Sequence, residues 1–177
     1  EPNERFVALS QIVILQNLLH GGNSVENLRA EAELGFFYNA NFSPVQALKH
    51  LDKAHSLEKR NKIEPEESIK IAVEIAKAHM LLRGKEKGHL QQAKTIAQPY
   101  YYVEISDLQL RFDRDLVRSR IFAAQKNYEV ALDSYEDARL DLRQIYDDND
   151  SQPEAELYIE IAQMLERARS IPDHREK

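Results

Sequence analysis

The sequence predicts an all-α chain of antiparallel helical hairpins, and three observations carry that prediction. Tyr128, Ala131, Tyr135, Ala138, Leu142 and Ile145 recur at alternating steps of three and four, which places six largely apolar side chains along one stripe of one helix. Leu116, Val117, Ile121, Phe122, Ala123 and Ala124 mark a second helix just upstream. The three residues between them, Gln125, Lys126 and Asn127, fold the pair back antiparallel. Finally, VEIAKAHML at 73–81 parallels YIEIAQML at 158–165, which aligns Ala76 with Ala162, and such self-similarity indicates a stacked array.

Within that array, Leu34, Gly35 and Tyr38 are followed by Ala47, Leu51 and Ala54. The pattern resembles the tetratricopeptide repeat, which sets Leu-Gly-x-x-Tyr on a first helix and Ala, a large apolar residue and Ala on a second. Residues 28–58 match at all six of these positions. Residues 112–142 match at Phe122, Tyr128, Ala131, Tyr135 and Ala138, but Arg118 and Ser119 stand where Leu and Gly are expected. The resemblance implies an α-solenoid with a right-handed superhelix, about three repeats plus terminal helices, in one domain spanning 1–177. Its parts are an N-terminal helix (1–22), repeat one (24–62), an irregular repeat two (63–105), repeat three (106–150) and a C-terminal helix that is a half repeat or cap (151–177).

The elements follow in order. Residues 4–20 read as a helix whose apolar side chains, among them Ile12, Leu15 and Leu19, spread over more than one face, so one neighbouring hairpin does not cover them. They are the second helix of a preceding repeat, a cap over repeat one, a dimer contact, or a seam to a further domain. Gly21 and Gly22 end the helix. Ser24 is read as the N-cap of the helix to about Ala40, and Ser43 with Pro44 as cap and first-position proline of the helix to about Arg60. Residues 66–83 form a helix with Ile71, Ala72, Ile75, Ala76 and His79 on one side. RGKEKGH and Pro99 then predict a shortened or kinked partner. Of Tyr100, Tyr101 and Tyr102 at least one is exposed or reaches a polar partner, because adjacent residues cannot face one way. Ser106 is read as the cap of repeat three, and the last helix runs from about Glu154 to Ser170.

The 177 residues suffice for a substantial core, and five Gly and six Pro leave little room for long irregular loops. A net charge of −6 disfavours direct nucleic-acid binding, which needs a basic footprint, and disfavours an anionic membrane surface. The longest apolar run, Ile12 to Leu15, is far short of the roughly 20 residues of a membrane span, so no insertion is expected. The absence of Cys excludes disulfides and thiol chemistry without fixing the compartment; the cytoplasm is the favoured expectation. A chain beginning at Glu1 rather than Met is expected to be a piece of something longer.

No catalytic constellation and no cofactor motif stands out, and the chain is read as a non-enzyme. His20, His50, His55, His79, His89 and His174 lack metal-ligand spacing; His50 and His55, five apart, fall on different faces of a helix. His79 reads as a core histidine. Asp147, Asp148 and Asp150 lack the Gly and terminal Glu of a calcium loop.

In proteins similar to this one the first helices line a concave groove. Carried onto this chain, the resemblance implies partner-binding positions at Arg29, Phe36, Asn39, Lys70, Val73, Lys77, Met80, Leu116 and Arg120. Four cations around an apolar floor suit a protein or peptide partner with acidic and apolar residues. Against this, the same cations could pair locally with Glu33, Glu74 and Asp113. The chaperone-type carboxylate clamp is unmatched, since Ala32 and Phe36 stand where it places Lys and Asn. Arg111, Arg114 and Arg118 form a separate row read as an ion-pair network with Asp107 and Asp115. Two functions follow: an interaction scaffold that docks a peptide or helix, or a regulatory, sensor or dimerisation domain of a larger signalling or transcription-regulatory protein, with a homodimer through Ile12, Leu15 and Leu19.

Overall fold

A computed structural model describes residues 2–85, 88–146 and 152–170. Among the described residues there are eight α-helices, one short 3-10 turn and no strand. In chain order they are α1 (Pro2–His20), α2 (Val25–Ala40), α3 (Pro44–Glu58), α4 (Pro65–Leu82), α5 (His89–Ala97), the 3-10 turn Gln98–Tyr100, α6 (Leu108–Ala124), α7 (Tyr128–Tyr146) and α8 (Gln152–Arg169). No helix of the described residues is long and apolar enough to cross a membrane. Internal contacts divide the chain into two compact units, 1–97 and 98–177.

Unit one starts with α1, which Gly21 terminates at φ +84°, a left-handed conformation that glycine adopts without a Cβ penalty. Ser24 caps α2 by accepting from the Asn27 amide, and Pro44 opens α3. Ser43 makes no side-chain cap, contrary to expectation. Its backbone is turned to φ −113°, ψ 64° at the tight α2–α3 corner, and its hydroxyl donates to the Asn41 carbonyl instead. The core gathers Leu28, Ala47, Leu51, Ala54, Ile71 and Ile75 from α2, α3 and α4. At Gly35 α2 meets α3 closely: a Cβ there would lie 2.5 Å from Leu51 Cγ and 3.3 Å from the Ala47 carbonyl oxygen. The helix after α4 is short as predicted, α5 having nine residues before the 3-10 turn that contains Pro99.

Unit two is built on α6 and α7, joined through Gln125–Asn127, with Lys126 left-handed at φ 62°. Ala131, Tyr135 and Leu142 of α7 pack with Leu157, Ile161 and Met164 of α8. Asp107, not Ser106, caps α6 by accepting from the Leu110 amide. Both residue types can cap, but only Asp107 stands three residues before that amide. Tyr101 is buried and Tyr102 exposed, so the tyrosine run splits as adjacency requires. The aligned small positions differ in one informative way. Gly35, Ala76 and Ser119 are buried, whereas Ala162 on α8 is exposed.

Candidate functional site

The predicted partner-binding residues of unit one fall along α2 and α4, which lie side by side. Polar ties bridge the two helices. Arg29 donates to Glu67 through two nitrogens at 2.9 and 3.0 Å. The Lys70 ammonium sits 4.6 Å over the Phe36 ring. At the far end Asn39 Nδ2 donates to both the carbonyl and the carboxylate of Glu74, which also accepts from Lys77 at 2.7 Å. Arg29 and Asn39 therefore spend donors holding α2 to α4, Lys70 lies across the Phe36 ring, and Lys77 pairs with Glu74 within α4. Glu74 is a pairing partner as the alternative reading expected; Glu67 was not foreseen. The Glu67 contact raises the Arg29 pKa.

Val73 and Met80 do not line this face. They are 2% and 6% exposed and belong to the core, because both fall on the inner side of α4. Leu116 likewise packs half-buried against the unit-two core. Arg120 makes a two-nitrogen contact with Glu160 at 2.8 Å, and Tyr135 donates to the same carboxylate at 2.8 Å. Burial alone would lower the Arg120 pKa, but the Glu160 contact outweighs it and raises it. Burial and the Glu160 charge raise that of Tyr135.

Ile12, Leu15 and Leu19 sit on the outer side of α1 and are exposed, together with Val7, Ile14 and Leu18. The inner side is anchored on α2: the Phe6 ring lies 6.2 Å from Phe37 and 5.9 Å from Tyr38.

The arginine row of α6 forms the expected ion-pair network with Asp115, although Asp107 serves as the cap. Arg114 donates to both carboxylate oxygens of buried Asp115, Arg111 pairs with Asp141, and Arg118 lies 3.8 Å from Asp115 and 4.6 Å over the Tyr102 ring. Burial is the largest influence on Asp115 and pushes its carboxyl up despite Arg114; burial takes Tyr101 to about 12.

Two features escaped sequence reasoning. Glu31 is buried between α2 and α3, where His50 Nδ1 lies at 2.7 Å and Lys53 also reaches it. Burial works to raise its pKa, and these two hydrogen bonds hold it below the ordinary value instead. His79 meets His89, with their Nδ1 atoms 2.9 Å apart, beside an open cleft of about 270 Å³ that His55, Gln92 and Thr95 also line. Burial, then the neighbouring His89, takes His79 down to about 4. Read as a core histidine, His79 is instead half-buried at the edge of the cleft; nothing in the sequence signalled the second histidine. No group of three or more metal-ligating side chains lies together among the described residues. His174, Asp147, Asp148 and Asp150 lie outside the described residues.

No family model matches the chain, and the comparisons with curated proteins and with solved structures found no match either.

Proposed function

We propose that this chain is a non-catalytic protein-interaction scaffold whose hairpins stack in the tetratricopeptide manner, and that the α2/α4 face receives a peptide or a helix. The carrying observation is Lys70 over the half-buried Phe36 ring at the middle of that face. An aromatic surface with a cation above it offers one place for an apolar anchor and for an acidic neighbour. Because Arg29 and Lys77 are already held by Glu67 and Glu74, charge preference rests chiefly on Lys70. The partner expected is thus an apolar segment with a single acidic residue rather than a strongly acidic one.

The test begins by panning a random 12-residue peptide library on the full chain, followed by anisotropy of the best binder. Phe36→Ala should weaken that binder about tenfold, roughly 1.4 kcal/mol, and Lys70→Glu should remove any preference for an acidic position. Unchanged affinity in both variants would eliminate this face.

A second reading, a regulatory or dimerisation domain of a larger signalling protein, is favoured by a separate observation: the exposed apolar side of α1.

A further inference from the structure

The outer side of α1 combines three properties. From Phe6 to Leu19 the helix carries no charged residue, in a chain whose net charge is −6. Val7, Ile12, Ile14, Leu15, Leu18 and Leu19 are all exposed, Leu18 by 75% and Leu19 by 73%. The two halves of that side also differ in relief. The N-terminal half holds a shallow hollow of about 380 Å³ lined by Asn3, Glu4, Val7, Ala8 and Gln11, opened by the small Ala8 side chain. Glu4, Val7, Ala8 and Gln11 are spaced i, i+3, i+4 and i+7, the four-residue hole that receives a knob from a facing helix. The C-terminal half supplies the knobs, since Leu18 and Leu19 protrude there.

We infer that α1 pairs with α1 of a second copy of this chain, antiparallel about a two-fold axis at the level of Val13. Hole and knobs are separated by eleven residues, about 16 Å along the axis. A two-fold rotation therefore seats Leu18 of each copy in the hollow of the other, with Leu19 against its edge, making the same contact twice, as a closed isologous dimer requires. The exposed apolar residues of α1 present at most on the order of 600–700 Å² per copy, at the lower end of the roughly 600–1,000 Å² per partner of a standard interface. The occupant follows from charge. Two chains of net −6 repel, and this uncharged stretch is a place where they meet without opposing like charges. The inference rests on the second reading above in one respect, that α1 is an assembly surface.

The experiment is light scattering on the full chain from low micromolar to several hundred micromolar, with helicity followed by circular dichroism. The expected mass is twice 20.5 kDa. Leu18→Asp should return it to 20.5 kDa with unchanged helicity. Ala8→Leu fills the hole with apolar volume and should weaken the dimer at least tenfold, whereas unspecific apolar adhesion would strengthen. Orientation is read from single cysteines in a chain that has none. Gln11→Cys should cross-link through a short bismaleimide, and Asn3→Cys, about 30 Å from its counterpart, should not. A dimer that survives Ala8→Leu, cross-linking through Asn3→Cys, or assemblies beyond two copies would overturn the paired geometry while leaving α1 an assembly surface. A monomer at all concentrations, including one that floats with lipid vesicles, would overturn the inference together with the reading beneath it.

Discussion

Hairpins α2–α3 and α6–α7 each fold two helices back on one another, and the surroundings of Gly35 in one and of Ser119 in the other are filled by opposite means. In the first, Leu34 is buried and Gly35 lets Leu51 close in, so the contact is apolar and steric. In the second, Arg118 and Ser119 occupy the corresponding slots; Ser119 turns its hydroxyl back to the Leu116 carbonyl, and Arg118 joins Arg114 around buried Asp115. A helical hairpin thus tolerates buried charge where opposite charges accompany it. Unit one is vulnerable to added volume and unit two to a lost charge.

The largest effect should come from breaking the second arrangement. Asp115→Ala leaves Arg114 and Arg118 buried without their shared carboxylate and should cost unit two about 3–5 kcal/mol. Tyrosine fluorescence in urea reads this selectively, because Tyr38 is the one tyrosine before residue 98 and the other seven of the eight lie in unit two. A loss under 1 kcal/mol would erase the contrast between the hairpins.

Gly35→Val probes the first arrangement. The added atoms collide with Leu51, and overpacking of this kind costs about 1–3 kcal/mol. Circular dichroism should show an earlier urea transition while the tyrosine signal holds. Tyr135→Phe removes one hydrogen bond to Glu160 and should lower unit-two stability by about 1 kcal/mol.

Acid should separate the units more gently. His79 titrates at about 4 when folded and 6.5 ordinarily. Between these values the unfolded state binds more protons, so this contribution to unit-one stability is complete above pH 6.5 and declines as pH falls toward 4. His79→Gln should flatten that slope relative to the parent chain. An unchanged slope would mean that the His79–His89 pair does not govern it. The smallest effect is expected for Lys77→Ala, about 0.5 kcal/mol or less, since its half-buried pair with Glu74 lies within one helix at i,i+3, where such pairs contribute little.

How much of this was legible depends on the reach of each interaction. Helices, the Ser24 cap, the Pro44 start and the short α5 depend on neighbours a few residues away, and their signals stood in the sequence. The polar ties were not readable: Arg29 pairs with Glu67 across 38 positions and Arg120 with Glu160 across 40. Val73 and Met80 were assigned outward because the repeat register was transferred from a pattern whose loops differ, and a few residues of slip turns a helix position from surface to core. The apolar excess on α1 was legible; the hollow at Ala8 that gives it direction required coordinates.

The turn at Lys126 has a kinetic consequence. With three residues between α6 and α7, closing this loop costs little chain entropy, and the pair's contacts are local, which favours early formation on the folding pathway. Lys126 nevertheless holds φ at 62°, a conformation glycine reaches more freely. Refolding of unit two should therefore be faster in Lys126→Gly, with the unfolding rate nearly unchanged, and the order in which the hairpins condense would be written in a surface residue that touches neither core.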